Sequence, residues 1–429
     1  MSKLIFGCIA DDFTGASDAA SFLVKGGFKT VLINGVPGHD LNVGDCDAVV
    51  IALKTRTQET KQAVEDSLQA VEWLKQKGIQ QLFVKYCSTF DSTKHGNIGP
   101  IVDKVLEECD EKYTILCPAL PVNKRTVKDG RLYVDGVPLD ESHMKNHPLT
   151  PMWDSDIAKL MEPQGKYDCF KVNYEMMKKT KQEILYAIDE FGKGKQHFYV
   201  IPDFIQDEDA EKIVDVFGSL PVLTGGSGLM EEIGKKYHAK RLPETNPVLS
   251  GTDGPALVLE GSCSKATLTQ IAYFQASGAK SVQLIPAELH DPHKIDEIWD
   301  FVLKNKENSI LVYSSGSETN IEQERKNTEK WWKNASLLEN VTAEIADRAV
   351  HAGFTRIIVA GGETSGAVTK KLGFNSFFIG ESIAPGVPIM IPTDHQNVRL
   401  VLKSGNFGQE DFFNRSLDMT ESKESAIHE

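Results

Sequence analysis

Short runs of Val, Ile, Leu and Phe alternate along this chain with longer stretches whose apolar residues recur at helical spacing. That alternation is the mark of βα units and parallel sheet. Runs at 3–10, 29–34, 47–53, 81–86 and 113–118, and later at 197–202 and 220–224, predict strands. Stretches 59–78 and 100–111 carry the period of helices. The rhythm lapses over 119–155, where Pro121, Pro138, Pro148 and Pro151 stand among many polar residues. The pattern there predicts an irregular insertion, long enough to imply a functional role.

A break follows. Pro, Gly and small polar residues crowd Leu242-Pro243-Glu244-Thr245-Asn246-Pro247 and Ser250-Gly251-Thr252-Asp253-Gly254-Pro255, the composition of an exposed linker. Beyond it the βα rhythm restarts, with strands expected at 256–260, 281–285, 309–313, 356–360 and 398–403 and helices at 264–276, 292–305 and 337–352. The fold class that results is α/β in two domains, residues 1–243 and 256–429, joined by 244–255. Each is expected to be a mainly parallel sheet flanked by helices, with a ligand cleft between them. The polar tail from Ser416 is expected to be weakly ordered.

Composition narrows the class. At 429 residues the chain is too long for one ordinary core. No stretch approaches the roughly 20 apolar residues of a membrane span. The first apolar run, Leu4 to Ala10, meets Asp11 and Asp12 at once, which suits a buried strand better than an export signal. Seven scattered cysteines, none in Cys-x-x-Cys spacing, suit a reducing compartment and a cytoplasmic location. A net charge of -14 argues against a nucleic-acid partner, while a small anion needs only a local cluster of Arg, Lys and helix N-termini. A homodimer is the expected assembly.

Chemistry collects where strands end, which is where ligands bind in open α/β sheets. The first run ends in Asp11-Asp12-Phe13-Thr14-Gly15-Ala16-Ser17-Asp18. Adjacent acids are costly unless they meet a proton, a cation or a metal. Either both start the helix, or one caps it and the other faces a ligand, where Asp12 or Asp11 would accept the proton of a substrate hydroxyl. Lys54-Thr55-Arg56-Thr57 follows a second strand, Lys85 opens a third cluster that runs through Asp91, and Asn123-Lys124-Arg125 lies beyond a fourth. Arg56 can bind a carboxylate through two parallel hydrogen bonds, with help from Lys85, Asn123 or Arg125. In the insertion Asn146 precedes His147, which is a base, a ligand donor or an ordinary loop histidine. The turn Thr224-Gly225-Gly226-Ser227 could hold an anion on its backbone N–H groups, though a tight turn alone also explains the glycines.

In the second half three turns of one kind end three strands: Gly261-Ser262-Cys263-Ser264, Gly361-Gly362-Glu363-Thr364-Ser365-Gly366 and Ser404-Gly405-Asn406-Phe407-Gly408. Glycine lets backbone approach a phosphate, and Ser or Thr hydroxyls add donors. Together they predict a nucleotide site. Neither the Walker pattern nor Gly-x-Gly-x-x-Gly is present. Glu363 would help hold Mg²⁺ bridging phosphates, or cap its helix.

These residues resemble the four-carbon acid sugar kinase family, which pairs a sugar-binding with a nucleotide-binding domain. Ala10-Asp11-Asp12-Phe13-Thr14-Gly15-Ala16-Ser17-Asp18 matches its signature, and Gly361-Gly362-Glu363-Thr364 and Lys403-Ser404-Gly405-Asn406-Phe407-Gly408 match its nucleotide half. The runs Lys85 to Thr93, Gly96 to Pro100, Pro118 to Asn123 and Met144 to Pro148, with Lys54 before the Thr-Arg pair, resemble the branch acting on 3-oxo-tetronate. Lys124, where Gly is common, and His95, which interrupts the run before Gly96, depart from the pattern. The resemblance implies ATP-dependent phosphorylation of the terminal 4-hydroxyl of a four-carbon sugar acid, 3-oxo-tetronate first, with threonate or erythronate as alternatives. It implies that ATP contacts Ser262 or Ser264, Gly361 to Thr364 and Gly405. Two readings of other classes compete: a phosphotransferase using an aspartyl-phosphate, for which the usual Asp-x-Asp spacing is absent, and a non-catalytic two-lobed sugar-acid-binding protein.

Overall fold

The computed structural model describes residues 4–147, 150–238, 251–262, 264–314, 328–405 and 407–422. The chain divides into two compact units, 1–246 and 247–429. Much of the expected linker, 244–250, lies outside the described residues. No described helix is long and apolar enough to cross a membrane.

Each unit is α/β. In the first, β1 (Phe6–Ala10), β2 (Thr30–Asn34), β3 (Ala48–Ala52), β4 (Gln81–Lys85), β5 (Tyr113–Cys117), β9 (Cys169–Val172), β10 (Phe198–Pro202) and β11 (Val222–Gly225) form a parallel sheet ordered β2-β3-β1-β4-β11-β5-β10-β9. The central strands are buried along their whole length because helices cover the sheet; β1 and β3 carry no charged or polar side chain other than a thiol, while β4 runs from Gln81 to Lys85. Among those helices are α1 (Phe13–Lys25), α2 (Thr60–Gln76) and α3 (Ile98–Cys109). The chain steps from β1 outward to β2, returns to β3, then crosses β1 to reach β4. The β1–β4 boundary is therefore the switch point where such sheets open a crevice.

The expected irregular insertion contains structure. Residues β6 (Arg125–Lys128), β7 (Arg131–Val134) and β8 (Val137–Pro138) form an antiparallel three-stranded sheet. Its two turns are Asp129-Gly130 and Asp135-Gly136, all four residues at positive φ. That is the hairpin turn whose twist matches paired strands.

In the second unit β12 (Ala256–Glu260), β13 (Lys280–Gln283), β14 (Ile310–Tyr313), β15 (Arg356–Ala360), β16 (Ser376–Ala384), β17 (Val387–Pro392) and β18 (Arg399–Lys403) run in the order β13-β14-β12-β15-β18-β17-β16. The first five in that order are parallel, and β16 and β17 close one side antiparallel. Val258, Leu311, Ile358 and Val401 pack with Phe274 and Phe413 into its core. The tail differs from expectation over 416–420. Ser416 and Thr420 are buried in the helix Phe412–Thr420 and turn their hydroxyls onto the carbonyls of Phe412 and Ser416, so polar residues ride inside.

Candidate functional site

Register brings the first half's chemistry to one sheet edge. Ala10 at the end of β1 is level with Ala52 on β3 and Lys85 on β4, and Lys85 is level with Gly225 on β11. The residues that follow these strands, Asp11 and Asp12, Leu53 to Arg56, Tyr86, and Gly226 and Ser227, consequently emerge side by side.

Arg56 organises them. Its Nε donates to Asp11 Oδ2 at 2.8 Å and its Nη2 to Asp11 Oδ1 at 3.0 Å, the two-bonded fork of Arg on a carboxylate. Its Nη1 lies 3.0 Å from Asp12 Oδ2 and 4.0 Å from Asp91 Oδ2. Asn97 fixes the loop that carries it, donating to the carbonyls of Thr55 and Gln58 at 2.7 and 2.8 Å. Asp91 accepts from the Thr89 hydroxyl at 2.6 Å. Lys85 is buried, and its Nζ donates to the Tyr86 carbonyl at 2.9 Å.

The two acids differ in exposure and in what holds them. Asp12 caps α1, accepting from the Gly15 N–H at 2.6 Å, and its side chain is 33% exposed against 11% for Asp11. Burial, and then the charge of Asp11, raise Asp12 above the ordinary carboxylate range; Arg56, Lys85 and the Gly15 N–H pull it back without cancelling the rise. Gly15 leaves room for two side chains of the cluster. A Cβ at that position would lie 2.6 Å from Asp12 Oδ1 and 3.0 Å from Lys85 Nζ. A cavity opens against the cluster, lined by Asp11, Arg56, Lys85 and Asp91 together with the apolar Ile9, Leu53 and Ile98.

Other expected residues stand elsewhere. Lys54 is exposed beyond β3. Asn123 ends a 3-10 turn beyond β5, and Arg125 donates to its carbonyl. Asn146 is exposed, and His147 Nδ1 lies 2.8 Å from the Thr150 hydroxyl. Among the described residues, no hydrogen bond joins any of these five to the Arg56 cluster. Lys124 has φ 59, which explains why glycine suits that position. The anion-holding reading of Gly226 is corrected in one respect: its N–H is donated to the Cys117 carbonyl at 3.0 Å, continuing the approach of β11 to β5. Ser227 is likewise engaged, donating its hydroxyl to Asp18. Asp18 had no role from sequence beyond its place in the motif. Burial raises its carboxyl, with Lys85 opposing.

In the second unit the switch point falls between β12 and β15. Gly261 and Ser262 follow β12, Gly361 to Thr364 follow β15, and Gly405 lies just beyond β18. Thr364 is buried, whereas Gly362 and Glu363 are exposed at the start of the helix Gly362–Leu372, whose N-cap Gly361 contributes no side-chain bond. That leaves the first-turn N–H groups without a side-chain cap, the arrangement that receives a phosphate. Ser264 caps the next helix, Lys265–Ala276, and its hydroxyl lies 2.6 Å from the Gly405 carbonyl. Cys263 and Asn406 lie outside the described residues. Among the described residues no group of three His, Cys, Asp or Glu could hold a metal by itself. Mg²⁺ on a nucleotide asks for less, one or two carboxylates beside phosphate oxygens, and exposed Glu363 fits that need.

Comparison with known proteins agrees with both halves. A sugar-binding N-terminal domain matches residues 6–233, and a nucleotide-binding C-terminal domain matches 257–413. The chain belongs to the four-carbon acid sugar kinase family, which joins these two domains. A Brucella melitensis protein named 3-oxo-tetronate kinase is 40% identical over 95% of this chain and 94% of its own length. A Pectobacterium atrosepticum protein of the same name is 41% identical over 96% and 98%. A solved Haemophilus influenzae structure superposes with a TM-score of 0.86 at 39% identity, covering 96% of this chain and all of that one.

Proposed function

We propose that this protein is an ATP-dependent kinase that phosphorylates the terminal 4-hydroxyl of 3-oxo-tetronate. The observation that carries the reading is the pairing, in one chain, of two different switch-point sites. One gathers carboxylates around Arg56 and Lys85; the other presents an uncapped helix start and serine turns. The relatives' shared name supplies the substrate.

In the proposed reaction Asp12 accepts the proton of the 4-hydroxyl as its oxygen bonds the terminal phosphorus of ATP, and ADP leaves with the electron pair of the broken bond. Asp12 is preferred over Asp11 because its side chain is the more exposed of the two and its carboxyl is raised above the ordinary range. The fork on Asp11 gives Arg56 the role of holding the acids in place, and exposed Lys54, two residues before it in the chain, is the proposed partner of the substrate carboxylate. Lys85 supplies positive charge next to Asp12. Asn123, Arg125, Asn146, His147 and Ser227 remain proposed contacts of the same acid, and Ser262, Ser264, Gly361, Gly362, Thr364 and Gly405 of ATP. Glu363 would hold the Mg²⁺ that accompanies ATP, an ion that would supply positive charge to the phosphates.

An ADP-release assay across 3-oxo-tetronate, threonate and erythronate tests the reading. Turnover is expected to be fastest with 3-oxo-tetronate. Release with none of the three would overturn it, and preference for threonate or erythronate would move the substrate while keeping the class.

A further inference from the structure

Glu260 ends β12, Ala360 ends β15 and Lys403 ends β18, level with one another across three adjacent strands. Level residues on parallel neighbours point to one face, so an acid and a base flank an alanine that leaves room between them. Glu260 is 0% and Lys403 1% exposed. Charges this deep are costly unless fully hydrogen-bonded.

Lys403 meets that demand through the neighbouring turn. Its Nζ donates to the Thr267 hydroxyl at 2.9 Å and to the Gly405 carbonyl at 3.0 Å, with the Ser404 carbonyl at 3.4 Å. The same Gly405 carbonyl lies 2.6 Å from the Ser264 hydroxyl and 2.8 Å from that of Thr267. Glu260 accepts from the Ser262 N–H. Gly405 is pressed so closely that a Cβ there would sit 2.4 Å from Ser262 Oγ. One buried ammonium therefore ties the Ser404–Gly405 turn to Thr267, in the first turn of the helix that Ser264 caps.

We propose that Lys403 is a positioning residue of the nucleotide site, whose protonated ammonium locks the Ser404–Gly405 turn against Ser264 and Thr267 and whose deprotonation releases it. The inference rests on the nucleotide-binding reading of this unit. Burial lowers the Lys403 pKa to about 8, with Glu260 opposing the fall. Other ionisable groups on the surrounding elements, Lys265, Glu363 and Asp411, are exposed or half-buried; the Phe412 ring lies 5.6 Å from Nζ. A nucleotide phosphate brought to these turns favours the charged form, so nucleotide binding takes up a proton.

Calorimetric titration of ADP into the full chain, in two buffers of different ionisation heat, reads that proton directly. At about pH 8 the protein is expected to take up about half a proton per ADP, falling toward zero at about pH 6. The KM for ATP should rise above about pH 8, by about tenfold for each pKa unit the complex adds, with kcat changing less. Lys403→Met should bind ADP more weakly and without proton uptake. ADP binding with no uptake at about pH 8 in the unaltered protein overturns the inference whether or not the variant folds. No ADP binding at all overturns the kinase reading as well.

Discussion

Arg56 is shared among three carboxylates, and that sharing decides what each can do. Asp11 is locked by two charge-assisted bonds, whereas Asp12 keeps an exposed edge and a raised pKa. A base works when ionised, so kcat should fall as pH drops through that raised pKa, on a limb above the ordinary carboxylate range. Above the limb Asp12 is charged and active; below it the proton it must accept is already in place. Asp12→Asn should lower kcat by about 10²- to 10⁴-fold, while urea unfolding stays close to that of the unaltered protein because Asn caps helices as well as Asp does. Near-normal turnover in a folded Asp12→Asn would remove Asp12 from the role. Sequence alone exposed the acids and Arg56 as candidates. It could not tell that Arg56 grips Asp11 and Asp12, because that depends on the register of β1 beside β3 and β4.

At the scale of elements, the parallel strands were legible because their apolar runs are continuous. The strand Phe6–Ala10 is buried at every position and reads so in sequence. The hairpin of 125–138 was missed although its signal was present: Asp129-Gly130 and Asp135-Gly136 are hairpin turns, and the surrounding prolines and the short strands between them masked the alternation. The first helix start gives a sharper test. In an ordinary exposed helix Gly→Ala stabilises by about 1 kcal/mol. At Gly15 the added methyl meets Asp12 Oδ1 at 2.6 Å and Lys85 Nζ at 3.0 Å. Gly15→Ala is therefore expected to cut kcat at least about tenfold without a gain in melting temperature. An active, more stable Gly15→Ala would show that the cap and Lys85 are not tightly placed.

At the scale of the whole molecule, each unit puts its chemistry at the point where strand order reverses: β1 beside β4 in one, β12 beside β15 in the other. Sequence could find the strand ends but not their order, which is set by long-range pairing. The glycine turns were therefore visible as a set, while the Glu260–Lys403 pair beneath them was not, since its members are 143 residues apart in a chain numbered 260 and 403. The central claim is that this chain moves a phosphoryl group from ATP to the terminal hydroxyl of 3-oxo-tetronate. Phosphorus NMR of the reaction mixture tests it most directly. The account predicts that ATP signals give way to ADP and one phosphomonoester coupled to the C4 protons of the acid. ATP left intact, or inorganic phosphate formed with no such ester, would contradict it.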